Sequence, residues 1–278
     1  MRAPPEPRRT VSVPPTPDPA TATATPPRVV ADAIGGPVDD SELARRAARN
    51  FGELLATVAR CGIGPAAEVR RPDAVGGASP SLGGNPWLHA AVVPFDAVPP
   101  ADDPLLPYCV WTYADRLAGR AAVPAVVTPC MAVSLADVVR PVDGPPVHLV
   151  APPPEVVGAM NDRAYDSPGS LAPLLARIDD GRLRTHGIEV DGRPVCVAMT
   201  LALDDDLGIH YVATEPDHRR RGVATRLLTE VLSRAAEAGF RTATLQASPD
   251  GRPVYLRMGF HQVGELRGFV RPDAATGG

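Results

Sequence analysis

Apolar residues recur at Leu43, Ala47, Phe51, Leu54, Leu55 and Val58, the spacing of one helix face, and Asp39-Asp40-Ser41 stands where an N-cap belongs. Gly62 or Gly64 is the expected stop. Three short strand-like pieces follow, at 68–71, 88–93 and 125–133. A Gly- and Ser-rich loop is expected over 76–84 and a helix over 108–117, with Trp87 and Trp111 as large core anchors. After a linker at 141–146 the pattern changes to a longer series. It predicts a strand at 147–150, helices at 155–165 and 171–178, and a hairpin of 186–190 and 195–203 about Asp191-Gly192-Arg193-Pro194. Asp204-Asp205-Asp206 reads as a solvated acidic turn into a strand at 208–214. Leu227, Leu228, Val231, Leu232 and Ala235 then mark a helix that ends near Gly239, followed by strands at 242–247 and 261–270.

Composition divides the 278 residues further. Residues 1–38 hold ten of the 34 prolines and an Ala-Thr repeat, Thr21 to Thr25. Such a segment buries too little apolar surface to offset its ordering entropy, so a disordered Pro-rich tail is expected. The remainder is long enough for two modest domains, set at 39–145 and 146–278. A net charge of −4 argues against a general nucleic-acid binder. No apolar run approaches the roughly 20 residues of a membrane helix. Cys61, Cys109, Cys130 and Cys196 form no Cys-x-x-Cys pair, which supports no metal site and suits buried thiols in a reducing, cytoplasmic setting. All 28 lysine-plus-arginine positions are arginine, which compositional bias explains without a function.

The candidate chemistry lies in the turn that precedes the long helix. Backbone N–H groups from Arg220 to Thr225 have no partner within their own helix, and the helix dipole makes that end partly positive. Gly222 lets an anion approach the main chain, and the turn Arg219-Arg220-Arg221-Gly222 adds positive charge, so a phosphorylated ligand is expected there.

These residues resemble the GNAT superfamily of acyl-CoA-dependent N-acetyltransferases. The family's Arg/Gln-x-x-Gly-x-Gly/Ala loop is met by Arg219-Arg220-Arg221-Gly222-Val223-Ala224, with Pro216 three residues earlier. Its later Tyr-x-x-x-Gly-Phe signature is met by Tyr255-Leu256-Arg257-Met258-Gly259-Phe260. The chain departs from it at Thr214, where a hydrophobic residue is common, and at Ser248, where many members carry asparagine. The resemblance covers roughly the last 130 residues. It implies an α/β (α+β) fold with a mixed, mostly antiparallel sheet flanked by helices. The smaller N-terminal α/β half, helix first and then strands, is similar to the front of a second, reduced copy; an unrelated small domain walling the cleft fits its residues equally.

The resemblance also implies a site. Acetyl-CoA is the acyl donor, its pantetheine arm pairing with main-chain groups of Val212, Ala213 and Thr214, where a freed N–H would polarise the thioester carbonyl. Its diphosphate would rest on Arg220, Arg221, Gly222, Val223, Ala224 and Thr225, with Ser248 beside the arm. Tyr255 is the expected catalytic acid, protonated at neutral pH and able to supply the leaving thiolate. The general base is open among His210, Tyr211 and Glu215, or water; strand alternation puts His210 and Tyr211 on opposite faces. The acceptor would be an amine of a small molecule or protein, and the protein a monomer or homodimer without metal, nucleic acid or membrane. The competing reading is a non-catalytic CoA sensor or scaffold on the same fold.

Overall fold

The computed structural model describes residues 30–32, 35–61, 67–71, 74–78, 88–93, 107–117, 119–120, 123–139, 148–166 and 169–271. Residues 1–29 of the expected Pro-rich tail, Trp87 and the expected linker at 141–146 lie outside them. The end of that tail is not structureless: strands β1 (Val30–Asp32) and β2 (Gly35–Val38) pair antiparallel.

Helix α1 spans Asp40–Arg60, and the Asp39 carboxylate accepts a 2.8 Å hydrogen bond from the Glu42 amide, as its capping sequence requires. Its apolar stripe predicts one buried face. In fact Leu43, Ala44, Ala47, Ala48, Leu54, Leu55, Ala56, Val58 and Ala59 are all buried, together with Asn50 and Thr57. The reason is that the helix touches strands from both ends of the sheet and is enclosed between them. At Gly52 the fit is so close that a Cβ would stand 2.8 Å from the Val75 carbonyl oxygen.

The sheet is built from β3 (Ala67–Arg71), β4 (Ala74–Ala78), β5 (Ala90–Val93), β6 (Cys109–Thr112), β7 (Val126–Ser134), β8 (Leu183–Val190), β9 (Arg193–Leu203), β10 (Asp206–Thr214), β11 (Thr242–Gln246) and β12 (His261–Val270). Their spatial order is β3-β4-β5-β6-β12-β7-β11-β10-β9-β8. All neighbours are antiparallel except β5–β6 and β10–β11, so the sheet is mixed and mostly antiparallel as expected. Strand β7, from the first half of the chain, lies between β11 and β12 of the second: Ala132 is opposite Thr244 on one side and His261 on the other.

Two expectations are corrected. The helix expected over 108–117 is strand β6 followed by a turn; Val110, Trp111 and Thr112 are β-branched or aromatic and meet Phe269, Gly268 and Arg267 of β12. The Gly-rich stretch from 76 begins as strand β4, because Gly76 lies where a Cβ would come within 2.3 Å of the Ala90 carbonyl oxygen.

Helices α2 (Pro154–Ala164) and α3 (Ala172–Leu175) pack with α1 on one face of the sheet. Helix α4 (Val223–Glu237) covers the other, setting Leu227, Leu228, Val231, Leu232 and Ala235 against Cys196, Ala198, Ile209, Ala243 and Leu245. Each fully buried leucine there contributes about 2 kcal/mol of transfer free energy. A short helix, α5 (Arg252–Arg257), connects β11 to β12. No helix among the described residues is long and apolar enough to cross a membrane.

Candidate active site

Strands β10 and β11 run parallel and in register from Asp206↔Thr242 to Ile209↔Leu245, and there their pairing ends. Strand β10 continues to Thr214 against β9 alone, while Gln246 pairs with Cys130 of β7 and the Ala247 amide donates to Pro129. The two strands therefore part, each held by its outer neighbour. The parting coincides with an irregularity in β10. His210 lies opposite Met199 and Ala213 opposite Val197, so β10 gains one residue, and Tyr211 takes a left-handed φ of 52°. For an aromatic residue such a backbone costs on the order of 1–3 kcal/mol and needs support from its surroundings. That support is Asn161 of α2, whose Nδ2 donates to the Tyr211 carbonyl at 2.7 Å. Beyond the bulge, the Glu215 amide donates to Val195 at 2.9 Å. By antiparallel alternation beyond the bulge, Ala213 and Glu215 turn their N–H groups to β9, while that of Thr214 faces the split.

The turn from β10 to α4 begins with a short 3-10 segment, Pro216–His218. Arg219 closes it with its side chain, donating from Nε to the Thr214 carbonyl at 3.0 Å. Arg220 then adopts φ 58° and Gly222 φ 73°, and α4 starts at Val223. Among the described residues no hydrogen bond uses the amides of Arg220, Arg221, Gly222, Val223, Ala224 or Thr225; the first occupied one is Arg226, which donates to Gly222 O at 3.0 Å. A Cβ at Gly222 would meet nothing within 4 Å, so this glycine answers to its backbone angle and to the open space outside it. Six free amides, a helix N-terminus and exposed Arg220 and Arg221 suit a diphosphate.

Across the split stands Tyr255 of α5, 7% exposed, its ring 5.8 Å from that of Phe260. Among the described residues its hydroxyl makes no hydrogen bond. Burial, with the Tyr165 phenol and then the Cys196 thiol as neighbours, pushes its pKa well above the usual phenol value, so it is protonated at neutral pH. Cys196 in turn meets the Thr214 hydroxyl at 3.2 Å, which places the tyrosine close to the end of β10. Ser248 Oγ accepts from the Gly251 amide at 3.1 Å and shapes the start of α5.

The three residues expected to compete as base are differently placed. His210 and Tyr211 lie on one face and not two, their ring centroids 6.4 Å apart, because the bulge interrupts strand alternation. His210 is 6% exposed and meets Asn50 Oδ1 through Nε2 at 3.0 Å. Since Asn50 Nδ2 already donates to Leu201 O and Asp206 Oδ2, Nε2 must carry the proton. Burial holds the imidazole pKa down to about 3, so it stays neutral. The Tyr211 hydroxyl is buried with no hydrogen-bond partner among the described residues, and Glu215 is ion-paired with Arg163.

The expectation of a solvated 204–206 turn fails at Asp206. This carboxylate is 3% exposed and accepts from Thr242 at 2.8 Å, Thr244 at 2.7 Å and Asn50 at 3.0 Å. Burial outweighs those donors and raises its pKa to about 6. The unfolded value is 3.8, so the folded protein holds this proton more tightly. Its contribution to stability is complete below pH 3.8 and is lost as pH rises through about 6. Urea unfolding of Asp206→Asn against the unchanged protein should show the difference between them shifting by about 2 kcal/mol from pH 4 to pH 7. A difference independent of pH would refute it. Asp206, Asn50 and Asn161 carry no motif in the sequence; each is found only by the partner that folding brings to it.

Residues 165–269 match the family model described as an acetyltransferase (GNAT) domain. N-acetyltransferase Eis of Mycobacterium bovis is 33% identical over 105 residues, and its Mycobacterium tuberculosis counterpart 32%. Those matches take in 33% of this chain and 26% of theirs, so the chain spans about a quarter of the length of the curated relatives it matches. Among solved structures, a GCN5-related N-acetyltransferase from Kribbella flavida is similar at a TM-score of 0.58 and 21% identity, over 84% of this chain and 96% of that one. This is a likeness of fold that takes in both halves of the chain.

Proposed function

We propose, from the premise that residues 165–269 belong to the GNAT acetyltransferase family, that the protein moves an acetyl group from acetyl-CoA to a primary amine within a ternary complex. The observation that carries the reading is the meeting of a split sheet, six free amides and a buried phenol at one place. The diphosphate would rest on the amides of 220–225, and the pantetheine arm would run into the split past Val212 and Thr214. The amine nitrogen attacks the thioester carbon, the C–S bond breaks, and Tyr255 gives its proton to the departing sulfur. Phenol and nascent thiolate would share the same dry surroundings, which raise the proton affinity of both together and so keep the gap between them small. With His210 held neutral and occupied and Glu215 ion-paired, the proton lost by the amine leaves through water.

The similarity to proteins named N-acetyltransferase supports an amine as the acceptor class. The four cysteines are buried and unpaired, which suits the reducing compartment expected from their spacing. The test is thiol release from acetyl-CoA with a panel of small amines and amine-bearing peptides, beside calorimetric binding of CoA. Amine-dependent release supports the enzyme. Tight CoA binding without release for any amine would favour the sensor or scaffold, and no CoA binding would end both readings.

A further inference from the structure

We infer that Asn161 is the positioning residue that keeps the split between β10 and β11 open, and that it thereby governs how the protein holds the pantetheine arm. The inference rests on the acetyl-CoA reading above and goes beyond it, to a residue that contacts neither phosphates nor reacting atoms. The extra residue in β10 and the left-handed Tyr211 turn the end of that strand away from β11. An extended tyrosine would let β10 continue beside β11 and close the gap. Nothing in the tyrosine itself favours φ 52°, and its buried hydroxyl, with no hydrogen-bond partner among the described residues, gives no compensation. The compensation comes from outside the strand. Asn161 Nδ2 donates to the Tyr211 carbonyl at 2.7 Å and to the Val157 carbonyl at 3.1 Å. Both partners accept only, so the amide nitrogen must face them, and no residue lacking a donor there can take its place.

The anchor is itself fixed. Asn161 is 4% exposed. One residue on, the Asp162 carboxylate accepts from the Leu171 and Ala172 amides and the Ser170 hydroxyl, all within 3.1 Å. Gly158, one turn earlier, lies so close to α3 that a Cβ would stand 2.5 Å from Ala172 Cα. Helices α2 and α3 therefore form a rigid block, and Asn161 transmits its position to the strand. The turn that bears the amides of 220–225 is closed by bonds of its own, the Arg219 amide to Pro216 O at 3.2 Å and Arg219 Nε to Thr214 O at 3.0 Å, and not by Asn161.

That separation supplies the test. Affinities are measured calorimetrically for CoA and for adenosine 3′-phosphate 5′-diphosphate, which has the phosphates but no arm. In Asn161→Asp, nearly the same shape but an acceptor facing two carbonyls, CoA affinity should fall at least about tenfold while the nucleotide changes by less than about twofold. Adding Tyr211→Gly, whose backbone accepts positive φ unaided, should restore most of the loss. A residue of merely structural importance would weaken both ligands together and would not be rescued by a glycine elsewhere. Asn161→Ser, too short to reach the carbonyl, gives the same comparison should the aspartate variant not fold. An unchanged CoA-to-nucleotide ratio, or an equal loss of both, overturns the inference. An unmodified protein that binds neither ligand overturns the acetyl-CoA reading, and this inference with it.

Discussion

Gly222→Trp weakens CoA binding by about 100-fold or more, measured by calorimetry, while the folded sheet persists. Two effects act together. The φ of 73° suits glycine, and an indole there adds strain on the order of 1–3 kcal/mol at the turn. The larger effect is occlusion. Among the described residues, none beyond the glycine's chain neighbours comes within 4 Å of the missing Cβ, so the indole fills open space beside the amides of 220–225. Gly222→Ala separates the two, since it brings the strain with little of the bulk and should lose far less affinity. Equal CoA affinity in the tryptophan variant and the unchanged protein would remove the diphosphate from this turn.

Tyr255→Phe should lower kcat for amine acetylation by about 10²–10³-fold and leave CoA affinity within about twofold. The ring packs on Phe260 and belongs to the α4-side core, so phenylalanine keeps the packing and removes only the hydroxyl. Among the described residues the hydroxyl has no partner to orphan, so stability should change little. Full activity would exclude Tyr255 as the acid. A parallel loss of CoA affinity would give it a binding role instead.

The contrast between these two positions and Asn161 explains what could be read in advance. The loop around Gly222 and the helix around Tyr255 are local: turn, glycine and helix follow within a few residues, so their chemistry is written consecutively. The hairpin of β8 and β9, the extent of β12 and the cap of α1 were legible for the same reason. What escaped depends on distant partners. Asp206 looks like one more aspartate in an acidic turn until Thr242, Thr244 and Asn50 surround it. Alternation put His210 and Tyr211 on opposite faces because it assumes a regular strand, and one extra residue at 211–212 breaks that rule. Strand β4 was hidden because two of its five residues are glycines, selected by the closeness of β5 and weak as strand formers alone.

The position of β7 has a consequence for how the protein comes off the ribosome. Its partners β11 and β12 emerge more than a hundred residues after it, so 126–134 must wait with both long edges unsatisfied until they have been made. A gene fragment that starts at codon 146 would encode two strands with a vacancy between them, and supplying 126–134 in trans is the natural way to fill it.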